Sequence, residues 1–210
     1  RFADHQDKLS TRFGDIAEVR CIPLGVDPSW FDITREPCSQ ASRTWLVVSR
    51  LTAKKIGPLF QWGRDIFKDG EELHVFGPMQ EEMTVPGWVH YHGSATPRQL
   101  REEWFPKAEG LITLSQHDEG RPQVILEAMA SGLPVLASDI SAHNSVIQHL
   151  KTGFLAKTLD DVKQGIAWLS DPGNNGLAGR AAREWIRSEI GTWDDCAARY
   201  AAAYETVLRP

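Results

Sequence analysis

Short apolar runs of strand length alternate along the chain with segments of helical periodicity, and this alternation restricts the fold more than any other feature. The runs are TWLVVS (44–49), ELHVFG (72–77), GWVHYHG (87–93), GLITLS (110–115), LPVLAS (133–138) and GFLAK (153–157). Runs that lack a consistently polar side are typical of strands buried on both faces. Strands that alternate with helices form a parallel sheet covered by helices, so the sequence predicts an α/β fold.

The segments between the runs carry the predicted helices, and the region before the first run carries one more predicted strand. Helices are expected at 4–14, 57–68, 96–108, 122–131, 141–149, 159–169, 176–189 and 192–207, and the additional strand within 17–31. Parallel sheets of this kind bind ligands at the carboxyl ends of their strands, where the strand order reverses. Functional residues are therefore expected in the loops that directly follow the strands.

Composition and charge exclude several classes of protein. The chain has 210 residues, of which 41% are hydrophobic and 24% charged, and its formal net charge is −5. This acidic balance argues against a general nucleic-acid binder, which usually carries a basic face. No apolar run approaches the ~20 residues that a membrane-spanning helix needs. The three cysteines are odd in number and far apart, which indicates reduced thiols in a cytosolic protein rather than a disulfide framework or a zinc site.

The segment DEGRPQVILEAMASGLPVLASD (118–139) places a turn before a predicted helix and a buried strand after it. Pro122 suits the first helical position, where its missing N–H costs nothing. The N–H groups of residues 123–125 are then free, and with the helix dipole they favour an anion such as a phosphate. Gly120 allows the backbone to approach that anion closely.

Two glutamates and two cations surround this predicted anion site. Glu119 and Glu127 would repel a phosphate, so we expect them to accept hydrogen bonds from hydroxyl groups of a sugar or ribose. In VVSRLTAKKIG, Arg50 directly follows a predicted strand and Lys55 comes five residues later. Both side chains suit phosphate oxygens. A ligand with hydroxyls on both sides of a diphosphate, a nucleotide sugar, fits this layout. Taken alone, Arg50 and Lys55 are better explained as surface residues, because charged side chains are mostly exposed.

Several well-known motifs are absent from the sequence. It contains no GxGxxG after a predicted strand, no GxxxxGK[ST], no HExxH and no GxSxG. The first absence argues against a nicotinamide or flavin dehydrogenase. His90 and His92 alternate on one face of a predicted strand, but no third ligand is in view. We therefore predict that they are packing or edge histidines and that no metal is bound.

Five blocks in order resemble family 4 of the retaining glycosyltransferases. The blocks are IPLGVD (22–27), VSRLTAKK (48–55), VHYHG (89–93), DEGRPQVILEAMASGLPVLASD (118–139) and TGFLAK (152–157). The spacing of Glu119 and Glu127 matches the E-x7-E motif of that family. The resemblance implies a Rossmann-like parallel sheet with helices on both faces, the C-terminal half of a GT-B fold.

The resemblance also implies roles for individual residues. Arg50 and Lys55 hold the places of the family's diphosphate-binding pair. Glu119 is expected to contact the donor sugar in catalysis, and Glu127 to bind the ribose. Backbone N–H groups from Gly120 to Val124, including that of Gln123, are expected to meet the sugar or phosphate. The implied reaction is retaining transfer from a nucleoside-diphosphate sugar, with no cofactor and no essential metal.

Two of the departures from the family pattern concern predicted site residues. Arg121 stands where the family often has an aromatic or apolar residue, and we hypothesise that it adds a charge for an acidic sugar, although a solvent-facing arginine explains it equally well. Ile56 separates Lys55 from Gly57, so either Lys54 or Lys55 contacts the diphosphate.

A whole enzyme of this family also has an N-terminal acceptor domain. We expect residues 1–16 to be the end of such a domain or a linker, and residues 17–210 to form the donor-binding domain with closing C-terminal helices. The predicted location is cytoplasmic, with peripheral attachment at the inner face of the membrane through the other domain left open. A nucleotide-sugar epimerase on the same fold and a non-catalytic sugar-nucleotide-binding module stay as alternatives. The base, the sugar, the acceptor and the oligomeric state are not predicted.

Overall fold

The computed structural model describes residues 2–13, 20–36, 43–116, 120 and 122–208. Its centre is a six-stranded sheet with the order β3-β2-β1-β4-β5-β6, in which every neighbouring pair is parallel. The strands are β1 (Arg43–Val48), β2 (Glu71–Phe76), β3 (Val89–Tyr91), β4 (Ala108–Thr113), β5 (Val135–Ser138) and β6 (Gly153–Ala156). All six strands predicted from the apolar runs are present.

Helices fill the connections between the strands and the end of the chain. The α-helices are α1 (Phe2–Phe13), α2 (Ala53–Trp62), α3 (Pro97–Gln99), α4 (Gln123–Ala130), α5 (Ser141–Asn144), α6 (Leu159–Leu169), α7 (Pro172–Trp185) and α8 (Trp193–Leu208). Short 3-10 segments lie at Pro28–Asp32, Arg64–Ile66 and Phe105–Lys107, and π-helical segments at Leu100–Trp104 and Ile186–Ile190. No helix among these described residues is long and apolar enough to cross a membrane.

Each face of the sheet has its own hydrophobic core, because successive side chains of a strand point to opposite faces. Trp45 and Leu46 are adjacent in β1, and both are fully buried, one in each core. The core around Trp45 is closed by α2 and α6, and the core around Leu46 by α4 and α7. The prediction of a parallel sheet with helices on both faces is confirmed.

The predicted strand within 17–31 is wrong for the residues that the structure describes. Val26 forms only an isolated bridge to Thr192, and Pro28–Asp32 is a 3-10 turn. Pro23 and Pro28 cannot donate backbone hydrogen bonds, which explains why no ladder forms here. Residues 14–19, which contain the predicted domain boundary at residue 16, lie outside the described residues.

The predicted helix at 96–108 is capped as expected but does not stay α-helical. Thr96 and Gln99 form a reciprocal capping box, in which each side chain bonds the other residue's backbone. The helix then widens into a π-helical turn and tightens into a 3-10 turn at Phe105. Pro106 has no N–H for an α-helical bond, which explains the change of geometry.

The strand order reverses at the centre of the sheet. From β1 the chain moves outward through β2 to β3, and it then crosses back to β4 and moves outward on the other side. The crevice where such sheets bind ligands therefore lies outside the carboxyl ends of β1 and β4. This position receives Arg50 and Lys55 from the first loop and Gly120 and α4 from the second.

Candidate functional site

Hydrogen bonds join the loops at the carboxyl ends of five neighbouring strands into one continuous edge, which we call the carboxyl rim (residues 49–55, 77–81, 93–96, 114–116 and 138–144). The bonds run from Gly77 N–H to Gly93 O (2.7 Å), Leu51 N–H to Pro78 O (2.9 Å), Gln116 N–H to Lys54 O (2.8 Å) and Ser138 Oγ to Ser115 O (2.7 Å). The rim therefore fixes the cationic loop after β1 against the loop that leads to the two predicted glutamates.

The bond between Gln116 and Lys54 depends on a proline in α2. In a regular helix the Lys54 carbonyl would accept from the N–H of residue 58. That residue is Pro58, which lies inside α2 and has no N–H. The carbonyl is thus left for Gln116, and the proline ties the first turn of α2 to the loop after β4.

The cationic residues of the rim differ in exposure. Arg50 is exposed, and its Nη1 donates to Gln80 Oε1 at 3.3 Å. Lys54 is exposed and Lys55 is half-buried, both in the first turn of α2. Arg50 and both lysines are thus brought to the predicted crevice, and the choice between Lys54 and Lys55 as diphosphate ligand stays a prediction.

A carboxylate already accepts a hydrogen bond at the start of α2. Glu81 Oε2 lies 2.7 Å from Ala53 N, whereas Thr52, the residue that precedes the helix, makes no side-chain cap. Negative charge is favoured at this end of the helix dipole. Sequence reasoning missed Glu81, because it comes from the loop after β2 and no local signal links it to α2.

The start of α4 differs by one residue from the prediction. Pro122 is the N-cap, with extended backbone (φ −71°, ψ 105°), and Gln123 is the first helical residue. The N–H of Ile125 bonds to Pro122 O at 3.1 Å, so the prediction that this group is free is wrong. The N–H groups of Gln123 and Val124 belong to the first turn, which has no partner within the helix.

The side chains of Gln123 and Val124, at the start of α4, contact other parts of the protein. Gln123 Nε2 donates to Gly25 O at 3.0 Å, and Val124 packs against the core around Leu46. Only their backbone groups are therefore offered to a ligand. Gly120 is exposed, and a Cβ at this position would meet no atom within 4 Å. Glu119 and Arg121, together with His117 and Asp118, lie outside the described residues.

Glu127 sits in the second turn of α4 and is half-buried. Burial raises the pKa of its carboxyl group to about 7, and the negative charge of Asp27 adds to the rise. Asp27 itself accepts hydrogen bonds from the backbone N–H (2.9 Å) and the hydroxyl of Ser29, which lower its pKa. Arg101 Nη1 in turn donates to the Ser29 hydroxyl. Glu127 is thus the carboxyl of the pair that holds a proton near neutral pH.

The sequence does not pair Asp27 with Glu127, although Asp27 belongs to the family-like block IPLGVD. The available signal was the Asp-Pro step, which is typical of an N-cap before a helical turn. Asp27 does cap the 3-10 segment Pro28–Asp32, and the bond between Gln123 and Gly25 holds the preceding residues against α4. The contact is tertiary, so no spacing in the sequence reveals it.

A cavity of about 490 Å³ lies at the opposite edge of the sheet, near the amino ends of β4 and β5. Arg35 and Arg183 line it, but both guanidinium groups bond to backbone carbonyls. Arg35 reaches Gly132 O (3.1 Å) and Ala108 O (2.6 Å), and Arg183 reaches Ile33 O (2.6 Å). These arginines hold the loops at this edge together, and none of the predicted site residues lies there.

Comparison with known proteins identifies the family and supports the fold. Residues 43–171, more than half of the chain, match the model of the family described as glycosyl transferases group 1. A segment of 86 residues is 36% identical to a GDP-mannose-dependent alpha-(1-6)-phosphatidylinositol monomannoside mannosyltransferase of Mycobacterium tuberculosis, and it covers 40% of this chain and 22% of that protein.

Solved structures of GT-B glycosyltransferases share the fold of this chain. Sucrose-phosphate synthase from Thermosynechococcus elongatus aligns with a TM-score of 0.78 at 18% identity, over 97% of this chain and 56% of the synthase. The pneumococcal O-GlcNAc transferase in complex with UDP and GlcNAc aligns with a TM-score of 0.71 at 17% identity, over 99% of this chain and 44% of that one. The chain thus spans about half of these two structures. The predicted fold class is confirmed, and the chain belongs to the group 1 glycosyltransferases.

Proposed function

We propose that the chain binds the nucleoside-diphosphate-sugar donor of a retaining glycosyltransferase. The observation that carries this proposal is the bond between Gln116 N–H and Lys54 O, which fixes the cationic loop against the loop before Glu119 where the strand order reverses. Positive charge, free helix N–H groups and carboxyl groups are then arranged around one crevice, as an activated sugar with a diphosphate requires.

Arg50 and one of the two lysines bind the diphosphate in this proposal. The bond between the sugar and the diphosphate breaks as negative charge gathers on the leaving phosphate oxygen. Fixed cations and the N–H groups of Gln123 and Val124 stabilise that charge without having to reorganise. Because these groups supply the positive charge, we expect transfer to proceed without an added metal ion. Arg121, two residues from Glu119, adds charge on the side of the donor sugar.

The carboxyl groups bind the hydroxyl-bearing ends of the donor. Glu127 accepts hydrogen bonds from the ribose hydroxyls, and Glu119 contacts the transferred sugar as its ring gains positive charge. The raised pKa of Glu127 suits this role, because its half-buried carboxyl has no cationic partner among the described residues and gains most when hydroxyl donors satisfy it.

The names of the similar proteins support a nucleotide-sugar donor, but they point to different nucleotide bases. The mycobacterial relative is described as dependent on GDP-mannose, and the pneumococcal structure contains UDP and GlcNAc. We therefore test both bases, together with ADP, rather than assign one.

Calorimetric titration of the 210-residue chain with UDP, GDP, ADP and their glucose and mannose conjugates tests the proposal. We expect one of the bases to bind, and Arg50→Ala to weaken its Kd by about 10-fold to 100-fold, as loss of a charged hydrogen bond does. Arg98→Ala is the matched control, because Arg98 is also exposed but pairs with Glu102 (2.9 Å) outside the rim. Equal loss in both variants, or binding of none of the nucleotides, would refute the proposal.

Product analysis with donor alone separates the proposed transferase from an epimerase. An epimerase converts or hydrolyses its donor without an acceptor, whereas the proposed transferase leaves the donor intact until an acceptor is added, so the assay uses a form of the protein that turns over.

A further inference from the structure

Three histidines and a glutamate line one face of β2 and β3, outside the donor crevice. His74 and His90 are partners in the parallel pairing of the two strands, so their side chains lie next to each other on the same face. Glu72 and His92 lie two residues from these partners along their own chains and join the same face. We call this set of four residues the histidine face.

The side-chain atoms of Glu72, His74 and His90 converge. One potential ligand atom from each residue lies within 4.8 Å of the other two, and Glu72 Oε2 is 3.3 Å from His74 Nε2. Ligands of a tetrahedral zinc ion at 2.0–2.1 Å are separated by about 3.3–3.4 Å. The pair Glu72–His74 already has this spacing. Glu72 and His90 are exposed, so rotation of their side chains can close the remaining gap.

His92 orients His74 for metal binding. His74 Nδ1 and His92 Nε2 are 2.9 Å apart, and when Nδ1 carries the proton it donates to His92. The lone pair of His74 then lies on Nε2, the nitrogen that faces Glu72. Histidine ligands of metals usually donate their other ring N–H to such a partner, which fixes the tautomer and the ring orientation.

Aromatic packing further holds the ring of His74. The ring centroid of His74 is 4.7 Å from that of His90 and 4.9 Å from that of Trp104. Lys107 Nζ in turn lies over the Trp104 ring, 4.6 Å from its centroid. His74 is half-buried, so its ring is held between these neighbours.

We propose that Glu72, His74 and His90 bind one divalent transition-metal ion, of which Zn²⁺ is the best match, with His92 as the positioning residue. Two imidazoles and one carboxylate are a ligand set that zinc uses, with water as the fourth ligand. The bound ion joins the short edge strand β3 to β2 and stabilises the outer edge of the sheet.

This site is independent of the proposed donor crevice. Its ligands project from the middle and amino-terminal half of β2 and from β3, whereas the crevice lies beyond the carboxyl end of β1. The sequence led to the opposite expectation, because His90 and His92 lacked a third ligand. The strand pairing supplies it: the nearest ligands of His90 are 16 and 18 residues away in the chain.

Titration of the metal-stripped 210-residue chain with ZnCl₂, followed by calorimetry and by melting temperature, tests the site. We expect one ion per chain and a higher Tm. We expect Glu72→Gln and His90→Gln each to weaken the affinity by at least about tenfold, and His92→Gln by about tenfold, the usual effect of losing an orienting partner. His149→Gln is the matched control, since it removes an exposed histidine outside this face. Glu72 and His90 are exposed, so these two variants are expected to fold.

Co²⁺ provides a readout that a structural role alone would not change. Tetrahedral Co²⁺ bound by nitrogen and oxygen gives visible d–d bands without the thiolate charge-transfer band that a cysteine site would show. We expect these bands in the parent chain and in His149→Gln, and their loss in His90→Gln. Absence of a one-to-one Zn²⁺ complex, or Zn²⁺ affinities that stay equal in all four variants, would overturn the proposal.

Discussion

Glu127 is the most informative single residue of the crevice, because its half-buried carboxyl group has a pKa of about 7. The sequence predicts that Glu127 contacts a ribose, but it does not predict its titration, which depends on burial in α4 and on Asp27 from a distant part of the chain. A group whose pKa is raised by folding stabilises the fold when protonated and loses that contribution when it ionises. Glu127 therefore lowers the free energy of unfolding as pH rises from about 4.3, the usual glutamate value, through about 7.

Glu127→Gln is expected to stabilise the ligand-free protein while weakening donor binding. At pH 8 the free energy of unfolding should rise by about 1–3 kcal/mol, because the amide cannot ionise, and at pH 4 it should hardly change. At pH 8, where Glu127 is ionised, binding of the preferred nucleotide should weaken by about tenfold, because a charged acceptor is lost. Urea denaturation at the two pH values and calorimetry measure these effects.

The control for this substitution is Glu184→Gln, which removes an exposed glutamate whose side chain is 75% accessible. It should change neither quantity by more than about 0.5 kcal/mol. A Glu127→Gln protein whose stability at pH 8 equals that of the parent would contradict the raised pKa, and unchanged nucleotide affinity would contradict the ribose role.

At the scale of elements, the strands were predictable and the irregular segments were not. Strands such as β1 and β4 are apolar on both sides, so their sequence alone indicates a buried parallel strand. The segment 20–32 is irregular. Its Asp-Pro step is a local signal for the 3-10 turn that Asp27 caps, but no local pattern encodes the bridge between Val26 and Thr192, just before α8. The proposed donor site shows the same division: Arg50 and Lys55 follow from their place after a strand, whereas Glu81 and Asp27 reach the site only through tertiary contacts.

Gly77 is the residue on which the contact between the ends of β1 and β2 depends. Its φ is +136°, and a Cβ there would lie 1.8 Å from Ser49 O, beside Arg50. We expect Gly77→Ala to destabilise the protein by at least about 2 kcal/mol, from backbone strain and the forced separation of the two loops. Urea denaturation measures the loss.

Gly87→Ala provides the comparison, because a Cβ at Gly87 would meet no atom within 4 Å. Its free energy of unfolding should stay within about 1 kcal/mol of the parent value or rise slightly. If Gly77→Ala were as stable as Gly87→Ala, the close approach of the two strand ends would not be required for folding.

At the scale of the whole molecule, the position of the crevice follows from strand order rather than from any motif. Alternating strands and helices predict a parallel sheet, but they do not fix the order in which the strands lie. The order β3-β2-β1-β4-β5-β6 makes β1 and β4 neighbours, although two other strands separate them in sequence. That order brings the cationic loop and the glutamate-bearing loop together, and it turns two separate sequence blocks into one candidate site.

We expect the 210-residue chain to bind a donor but to transfer sugar at a negligible rate, because the family resemblance predicts that the acceptor binds to a separate N-terminal domain. A nucleotide at 100 times its Kd should add about 2.7 kcal/mol of stability, which raises Tm by roughly 5–10 °C for a chain of this size. Turnover is measured as release of nucleoside diphosphate, with this chain and with a longer form in which an N-terminal acceptor domain of the kind that the resemblance predicts is joined to it. A longer form that turns over while the 210-residue chain shows only the shift in Tm would support the division of roles. Similar turnover by both would place the acceptor site within the 210 residues and refute it.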